Sequence, residues 1–261
     1  MATSDLISEV HDGVGVITLN RPGRYNAFTE PMLVELGWVL KEWETEARVG
    51  AVILTGAGKA FCAGGDMRAD DFPQSSESYV AAFRSIQQQT TGALYHYPKP
   101  VVAAAPGVIA GAGIGFALAC QIRLGTPQTI FASGFTNMEL PGDFGAIWLS
   151  NSILGPARTQ EIFLLDGRLD ATECHDYGIV HQIVEAEELM ALAMSIAGRL
   201  AARSSKSMQG MLANLREART LELADAMDRE APRQIASSLT EEHRAAAARF
   251  AARSAARSDR T

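Results

Sequence analysis

The chain has 261 residues, 47% of them hydrophobic and 20% charged, enough for one large core with or without a helical appendage. Its formal net charge of -7 disfavours non-specific nucleic-acid binding, and no apolar run approaches the roughly 18 residues of a membrane span. Cys62, Cys120 and Cys174 lie far apart in the sequence and read as small buried thiols of a reduced, cytoplasmic protein.

The N-terminal stretch MATSDLISEVHDG has neither a basic nor an apolar region, so no signal peptide is expected. Leu6–Val10 and Val14–Leu19, joined across Asp12-Gly13, predict a tight hairpin. Thr29 is positioned to cap a helix with Pro31 in its first turn. Met32, Leu36, Leu40 and Trp43 then recur at helical spacing to about Ala47. Ala51–Leu54 predicts a buried strand that ends in a Gly-containing loop, and Glu77–Leu94 predicts a helix. Val101–Ala105 predicts the next buried strand, and Gly107–Gly115 a Gly-rich loop opening a helix through Cys120. Ile122–Leu124, Thr129–Phe131 and Ile179–Val184 follow as short strands, and from about Glu187 the Ala- and Arg-rich chain favours helix to near its end. Strands alternating with helices predict an α/β fold with a helical last quarter.

Two segments have the composition of chemical sites. In Lys59–Arg68 the small residues Ala63, Gly64 and Gly65 allow another molecule close to the backbone, whose free N–H groups favour negative charge. In Gly107–Gly115 a helix start offers unpaired N–H groups. A dinucleotide fingerprint fails there, because G-x-G-x-x-G needs glycine where Phe116 stands and no acidic residue lies near position 135. One N–H from each loop on a single oxygen makes an oxyanion hole, in which one donor is worth roughly 3–4 kcal/mol. No His, Cys and carboxylate set has metal-ligand spacing, and no Ser–His–Asp arrangement can be argued. His175 and His181 read as surface or strand-end residues.

The segments ITLNRPGRYNAF, AVILTGAGKAFCAGGDMR, KPVVAAAPGVIAGAGIGFALACQIRL and LGPARTQEIFLLDGRLDATECHDYGIVHQIV resemble the enoyl-CoA hydratase/isomerase (crotonase) superfamily, in matching order over roughly residues 6 to 200. The resemblance implies a spiral core of ββα units over residues 1–195 and a C-terminal helical lobe over 196–261 that makes homotrimer or homohexamer contacts. It implies an acyl-CoA substrate, with coenzyme A as part of the thioester and no prosthetic group, metal, nucleic acid or membrane. Gly65 and Ala112 would donate to the thioester oxygen. Ala63, Asp66 and Met67 would lie against the adenine and pantetheine, and Arg24 and Arg68 would approach the phosphates. Phe250 and Arg253 resemble tail residues that reach a neighbour's coenzyme.

The resemblance also bears on the reaction. Positions that carry two glutamates in typical hydratases align here with Gly115 and Phe135. What stays in place is Asp143, flanked by glycines and twelve residues before Gly155. That register resembles epoxyphenylacetyl-CoA-type ring isomerases and an aryl-CoA dehalogenase, in which the aspartate shuttles a proton or acts as nucleophile. One carboxylate suffices for a 1,3 proton shift through an oxyanion-stabilised dienolate. The alternatives are hydration by an unusual acid set of Asp143 with Glu139, or acyl-CoA binding without turnover. Asp143 also has the plain reading of a helix N-cap before Phe144. Phe72, Phe135, Phe144 and Trp148 are candidates to line a pocket for an aromatic or bulky acyl group.

Overall fold

The computed structural model describes residues 4–67, 76–203 and 205–258. β1 (Leu6–His11) and β2 (Val14–Leu19) form the expected hairpin, with Asp12 and Gly13 both at positive φ in the turn. α1 (Glu30–Thr45) buries Met32, Leu36, Leu40 and Trp43 as the spacing predicts. Thr29 precedes it in extended conformation, but its side chain makes no capping bond.

The next three stretches repeat one plan. β3 (Ala51–Gly56) turns into β4 (Ala60–Cys62), followed by α2 (Glu77–Gln87), a π turn (Gln88–Gly92) and α3 (Ala93–His96). β5 (Val101–Ala105) turns into β6 (Val108–Ala110), followed by α4 (Gly113–Ala119). β7 (Ile122–Gly125) turns into β8 (Ile130–Ala132), followed by α5 (Ala146–Leu164). Each repeat places its first strand in one sheet and its second strand in another, so the chain advances as a ββα spiral. With β9 (Arg168–Leu169) and β10 (Gln182–Ile183) added, the larger sheet runs β1-β2-β3-β5-β7-β10 and the smaller β4-β6-β8-β9. β2, β3, β5, β7 and β10 pair in parallel, as do β4, β6 and β8.

Parallel strands covered on both faces read as continuous apolar runs. In β3, Val52 and Leu54 face the main core, while Ala51 and Ile53 face a second core. In β5, Val101, Ala103 and Ala105 face the first, and Val102 and Ala104 the second. The second core is closed by α7 (Leu189–Ala201), which brings Leu189, Ala193 and Ala197 onto the sheet; α6 (Ala171–Asp176) precedes it behind a capping box of Asp170 and Glu173. α8 (Ser205–Glu217), α9 (Leu223–Ser238) and α10 (Glu241–Ser258) complete the helical C-terminal part.

Buried Arg123 ties these units together. Its guanidinium donates to the carbonyls of Cys120, Gly178 and Ile179, at the C-terminal end of α4 and just past α6. Carbonyls left unpaired at helix ends are natural partners for a cation. All three cysteines are buried and free, each thiol pushed up to about 12 by desolvation, so they behave as small apolar residues. Among the described residues no helix is long and apolar enough to cross a membrane.

Candidate functional site

β4 and β6 lie side by side and point the same way, so their exits, residues 63–65 and 110–112, emerge together. The contact between these exits is too close for side chains. A Cβ at Gly64 would lie 3.2 Å from the Ala112 nitrogen, and Gly64 has φ 99°, a backbone state that L side chains rarely adopt.

Two N–H groups at this junction lack acceptors among the described residues. Gly65 forms a parallel bridge with Phe28, through Phe28 N–H to Gly64 O and Asp66 N–H to Phe28 O, both at 2.9 Å. A parallel bridge uses the peptide groups on either side of the bridging residue, so the Gly65 N–H is directed away from Phe28. Gly65 is exposed. Ala112 caps the start of α4 in helical conformation, and its carbonyl accepts from Gly115 N–H at 3.0 Å. Its own N–H precedes the first turn, where no intrahelical partner exists. The structure thus brings the two predicted donors to adjoining loops.

The loop carrying Asp143 lies on α4 one turn further along. A Cβ at Gly115 would fall 2.1 Å from the Phe144 carbonyl oxygen, so the backbone after Asp143 occupies the space a side chain at 115 would need. Position 115 is glycine because this loop rests on it. Phe144 holds the loop down as well. Its ring is buried against Phe28, Phe83 and Phe116 at centroid distances of 5.1, 5.7 and 5.6 Å. Phe28 therefore touches both halves of the site, bridging to Gly65 and packing on Phe144.

Asp143 is half-buried, and its Oδ1 is fully buried without a hydrogen-bond partner among the described residues. Desolvation pushes its carboxyl up to about 6. The plain capping reading is corrected here: α5 begins at Ala146 behind Gly145 and has no side-chain cap. Glu139 is exposed, in left-handed conformation at the end of a short turn over Thr136–Met138. Phe135, at the second glutamate position, stacks on Phe163 at 6.1 Å and belongs to the core. It also approaches the Asp143 loop at Gly142. The expected aromatic pocket does not form as one cluster, since the Trp148 ring meets Tyr95 and the Arg219 guanidinium instead. Phe72 lies outside the described residues.

The residues assigned to the coenzyme divide. Ala63 and Met67 flank the Gly64-Gly65 turn, Met67 being exposed. Asp66 is engaged with the protein itself: the Arg21 guanidinium bonds its carboxylate at 2.8 Å and also reaches Asp5 and the Ala27 carbonyl. Arg24 is exposed at the end of the Pro22–Arg24 turn, while Arg68 and the Arg253 side chain lie outside the described residues. Phe250 is exposed on α10. Buried Ser133 is bound to Asp166, which also holds Gly134 N–H and Asn137. His175 pairs with Asp176, and His181 accepts from Arg123 N–H.

Asn26 and Gln87 escape sequence reasoning. Fully buried Asn26, at φ 56°, donates to the Ala57 and Ala60 carbonyls and accepts from Arg21 N–H, fastening the 21–27 segment to the β3–β4 turn. Its only signal was an asparagine amid Gly and Pro, a residue tolerant of left-handed backbone. Gln87 has no local signal, because its partner, the Phe144 N–H, is 57 residues away.

A family profile described as enoyl-CoA hydratase/isomerase matches residues 9–256. The 1,2-epoxyphenylacetyl-CoA isomerase of Escherichia coli K12 is 34% identical over 198 residues, 75% of this chain and 76% of that one. The 4-chlorobenzoyl coenzyme A dehalogenase-2 of an Arthrobacter species is 28% identical over 87% of this chain and 83% of its own. The crystal structure of an enoyl-CoA hydratase/isomerase from Cupriavidus metallidurans CH34 superposes with a TM-score of 0.90 at 26% identity, covering 97% of this chain and 95% of that one.

Proposed function

The chain belongs to the enoyl-CoA hydratase/isomerase family, whose enzymes act on acyl-CoA thioesters, and from that premise we propose that it isomerises an unsaturated or strained-ring acyl-CoA with Asp143 as the base. The observation that carries the reading is a buried carboxylate oxygen, without a partner among the described residues, on the loop that fills the space above Gly115. A two-glutamate hydratase needs a side chain at 115, and the backbone of Phe144 stands there instead.

The Gly65 and Ala112 N–H groups hold the thioester oxygen. They are worth most when charge develops on it, because they are fixed beforehand and need no reorganisation. Ionised Asp143 takes a proton from one carbon of the acyl chain, and the C–H electron pair moves into a dienolate whose negative charge rests on that oxygen. The resulting carboxylic acid returns the proton to another carbon, and the electrons close into the shifted double bond. Nothing else is consumed. A carboxyl poised near 6 suits both halves, since at neutral pH it is mostly ionised yet is a stronger base than an exposed aspartate. Ala63, Asp66 and Met67 line the coenzyme's approach through their backbone, with Arg21 holding Asp66 in place, and Arg24 and Arg68 serve its phosphates. The helices from α8 onward make the contacts of a trimer or of paired trimers, with Phe250 and Arg253 towards a neighbour's coenzyme.

The test is proton exchange and double-bond migration on trans-2- and trans-3-hexenoyl-CoA and on a ring acyl-CoA panel in D2O, for the native chain and Asp143→Asn. Isomerisation incorporates deuterium and leaves the olefin count unchanged, and the variant loses it. Loss of enoyl absorbance through water addition points to a hydratase. Unchanged turnover in the variant overturns Asp143 as base.

A further inference from the structure

The Asp143 loop is held in an unfavourable backbone state. Glu139, Gly142, Phe144 and Gly145 all have positive φ, at 54°, 94°, 46° and 68°. For Phe144, an aromatic residue, the left-handed region is costly and persists only where the surroundings enforce it. Three contacts enforce it: the ring among Phe28, Phe83 and Phe116, the carbonyl on Gly115, and the N–H on the Oε1 of Gln87 at 2.9 Å.

The third contact bears directly on Asp143. The Phe144 N–H and the Asp143 carbonyl belong to one planar peptide unit, whose rotation about the Asp143 Cα–C bond is the ψ angle of Asp143. That unit is bound on both edges, its N–H by Gln87 and its C=O by Ala146 N–H at 3.0 Å. With the plane fixed, the Asp143 Cα and its Cα–C axis are held, and the Cβ is confined to a cone about that axis. Gln87 ends α2 where the helix widens into the π turn, an irregularity that often accompanies functional sites. Because its partner is a backbone N–H, the acceptor must be the side-chain oxygen and not the amide nitrogen.

We propose that Gln87 is a positioning residue for Asp143: it fixes the Phe144 peptide from across the site and so anchors the Cα from which the carboxylate extends. The proposal rests on Asp143 being the base. Among the described residues, the elements packed around the loop bring no charged side chain to the carboxylate. α4 and the π turn carry no charged or titratable side chain, and α2 carries Glu77, Tyr79 and Arg84, all exposed. Glu139 in the loop is exposed, and Arg158 and Glu161 lie further along α5. Burial raises the carboxyl, so a loosening that admits water registers there.

The experiment compares the full chain with Gln87→Met, which keeps length but loses the acceptor, and Gln87→Glu, which keeps the acceptor and adds charge. Asp143 is followed by carbon NMR of carboxyl-labelled aspartate, its signal identified by its disappearance in Asp143→Asn. Exchange rates on the hexenoyl-CoA pair are measured alongside. Gln87→Met is expected to move the Asp143 titration down towards the ordinary aspartate range and to lower kcat roughly 10–100-fold with little change in KM, the scale of a small misplacement of a catalytic group. Gln87→Glu is expected to recover most of kcat at high pH while moving the Asp143 titration and the acid limb of the rate upward, through like-charge repulsion. An Asp143 titration and kcat in Gln87→Met equal to the native values overturns the proposal. So does a fall in melting temperature and rate with the titration unmoved, which marks a merely structural residue. These outcomes, with Asp143→Asn inactive, sink the Gln87 assignment alone; an active Asp143→Asn sinks the base assignment and this proposal with it.

Discussion

The paired exits of β4 and β6 and the 139–145 loop are built in opposite ways. At the exits two parallel strands stop side by side, small residues let them touch, positive φ falls only on Gly64 and Gly111, and what is left over is two donors, the Gly65 and Ala112 N–H groups. The 139–145 loop is irregular, crossing into positive φ at four residues, and what it leaves over is an acceptor, the Asp143 Oδ1. At the exits positive φ is taken by glycine, where it carries little steric cost. An acceptor on a loop with positive φ at Glu139 and Phe144 must be maintained by specific contacts, and in the proposed function it is where the choice of reaction resides.

That contrast can be broken at either end. Asp143→Asn removes the acceptor's basicity and is expected to lower kcat about 10²–10⁴-fold, the span of general acid–base catalysis, with acyl-CoA affinity by calorimetry nearly unchanged. An equal loss of affinity would mean that Asp143 binds and does not catalyse. Ala112→Pro removes one donor. Ala112 has φ -62°, close to the value proline requires, and its N–H has no acceptor among the described residues. A loss of roughly 10²–10³-fold in kcat with circular dichroism unchanged is expected, and near-native turnover would show that the donor lies elsewhere.

Gly115→Ala tests the link between the two regions, since its Cβ would fall on the Phe144 carbonyl. The loop must lift, with overpacking costing about 1–3 kcal/mol in denaturant unfolding. Activity falls while coenzyme binding persists. A variant as stable and active as the native chain would show that the loop does not rest on α4.

The smallest expected effect is in stability. Asp143 has its folded-state carboxyl raised to about 6, above the ordinary aspartate value near 3.9, so between these the folded chain binds more protons than the unfolded one. Stability contributed by this residue is therefore largest below pH 4 and is lost as pH rises through 6. Relative to the native chain, Asp143→Asn should gain about 1–2 kcal/mol on going from pH 4 to pH 7, allowing for partial solvent screening. A difference that is flat over that window would mean that the carboxyl is not desolvated.

The same contrast governs what could be read before the fold was known. The buried runs of β3 and β5, the hairpin and α1 carry their periodicity in consecutive residues, and they lie where it placed them. The three-residue strands β4 and β6 were read as loop, because so short a stretch has no period and glycines surround both. The adjoining loops of Gly65 and Ala112 are legible as small-residue motifs. The surroundings of Asp143 were not: its apparent cap became a glycine two residues on, the predicted helix 77–94 hid a π turn, and the bond from Gln87 to Phe144 spans a distance no local pattern records. Residues that satisfy long-range geometry leave no trace in short windows.

The most direct measurement is a crystal structure with a bound, slowly turned-over unsaturated acyl-CoA. The thioester oxygen is expected at about 2.7–3.1 Å from both the Gly65 and the Ala112 nitrogen, with an Asp143 carboxylate oxygen facing Cα or Cγ of the acyl chain. A thioester oxygen bonded to neither nitrogen, or those N–H groups turned onto acceptors of the protein, would contradict this expectation.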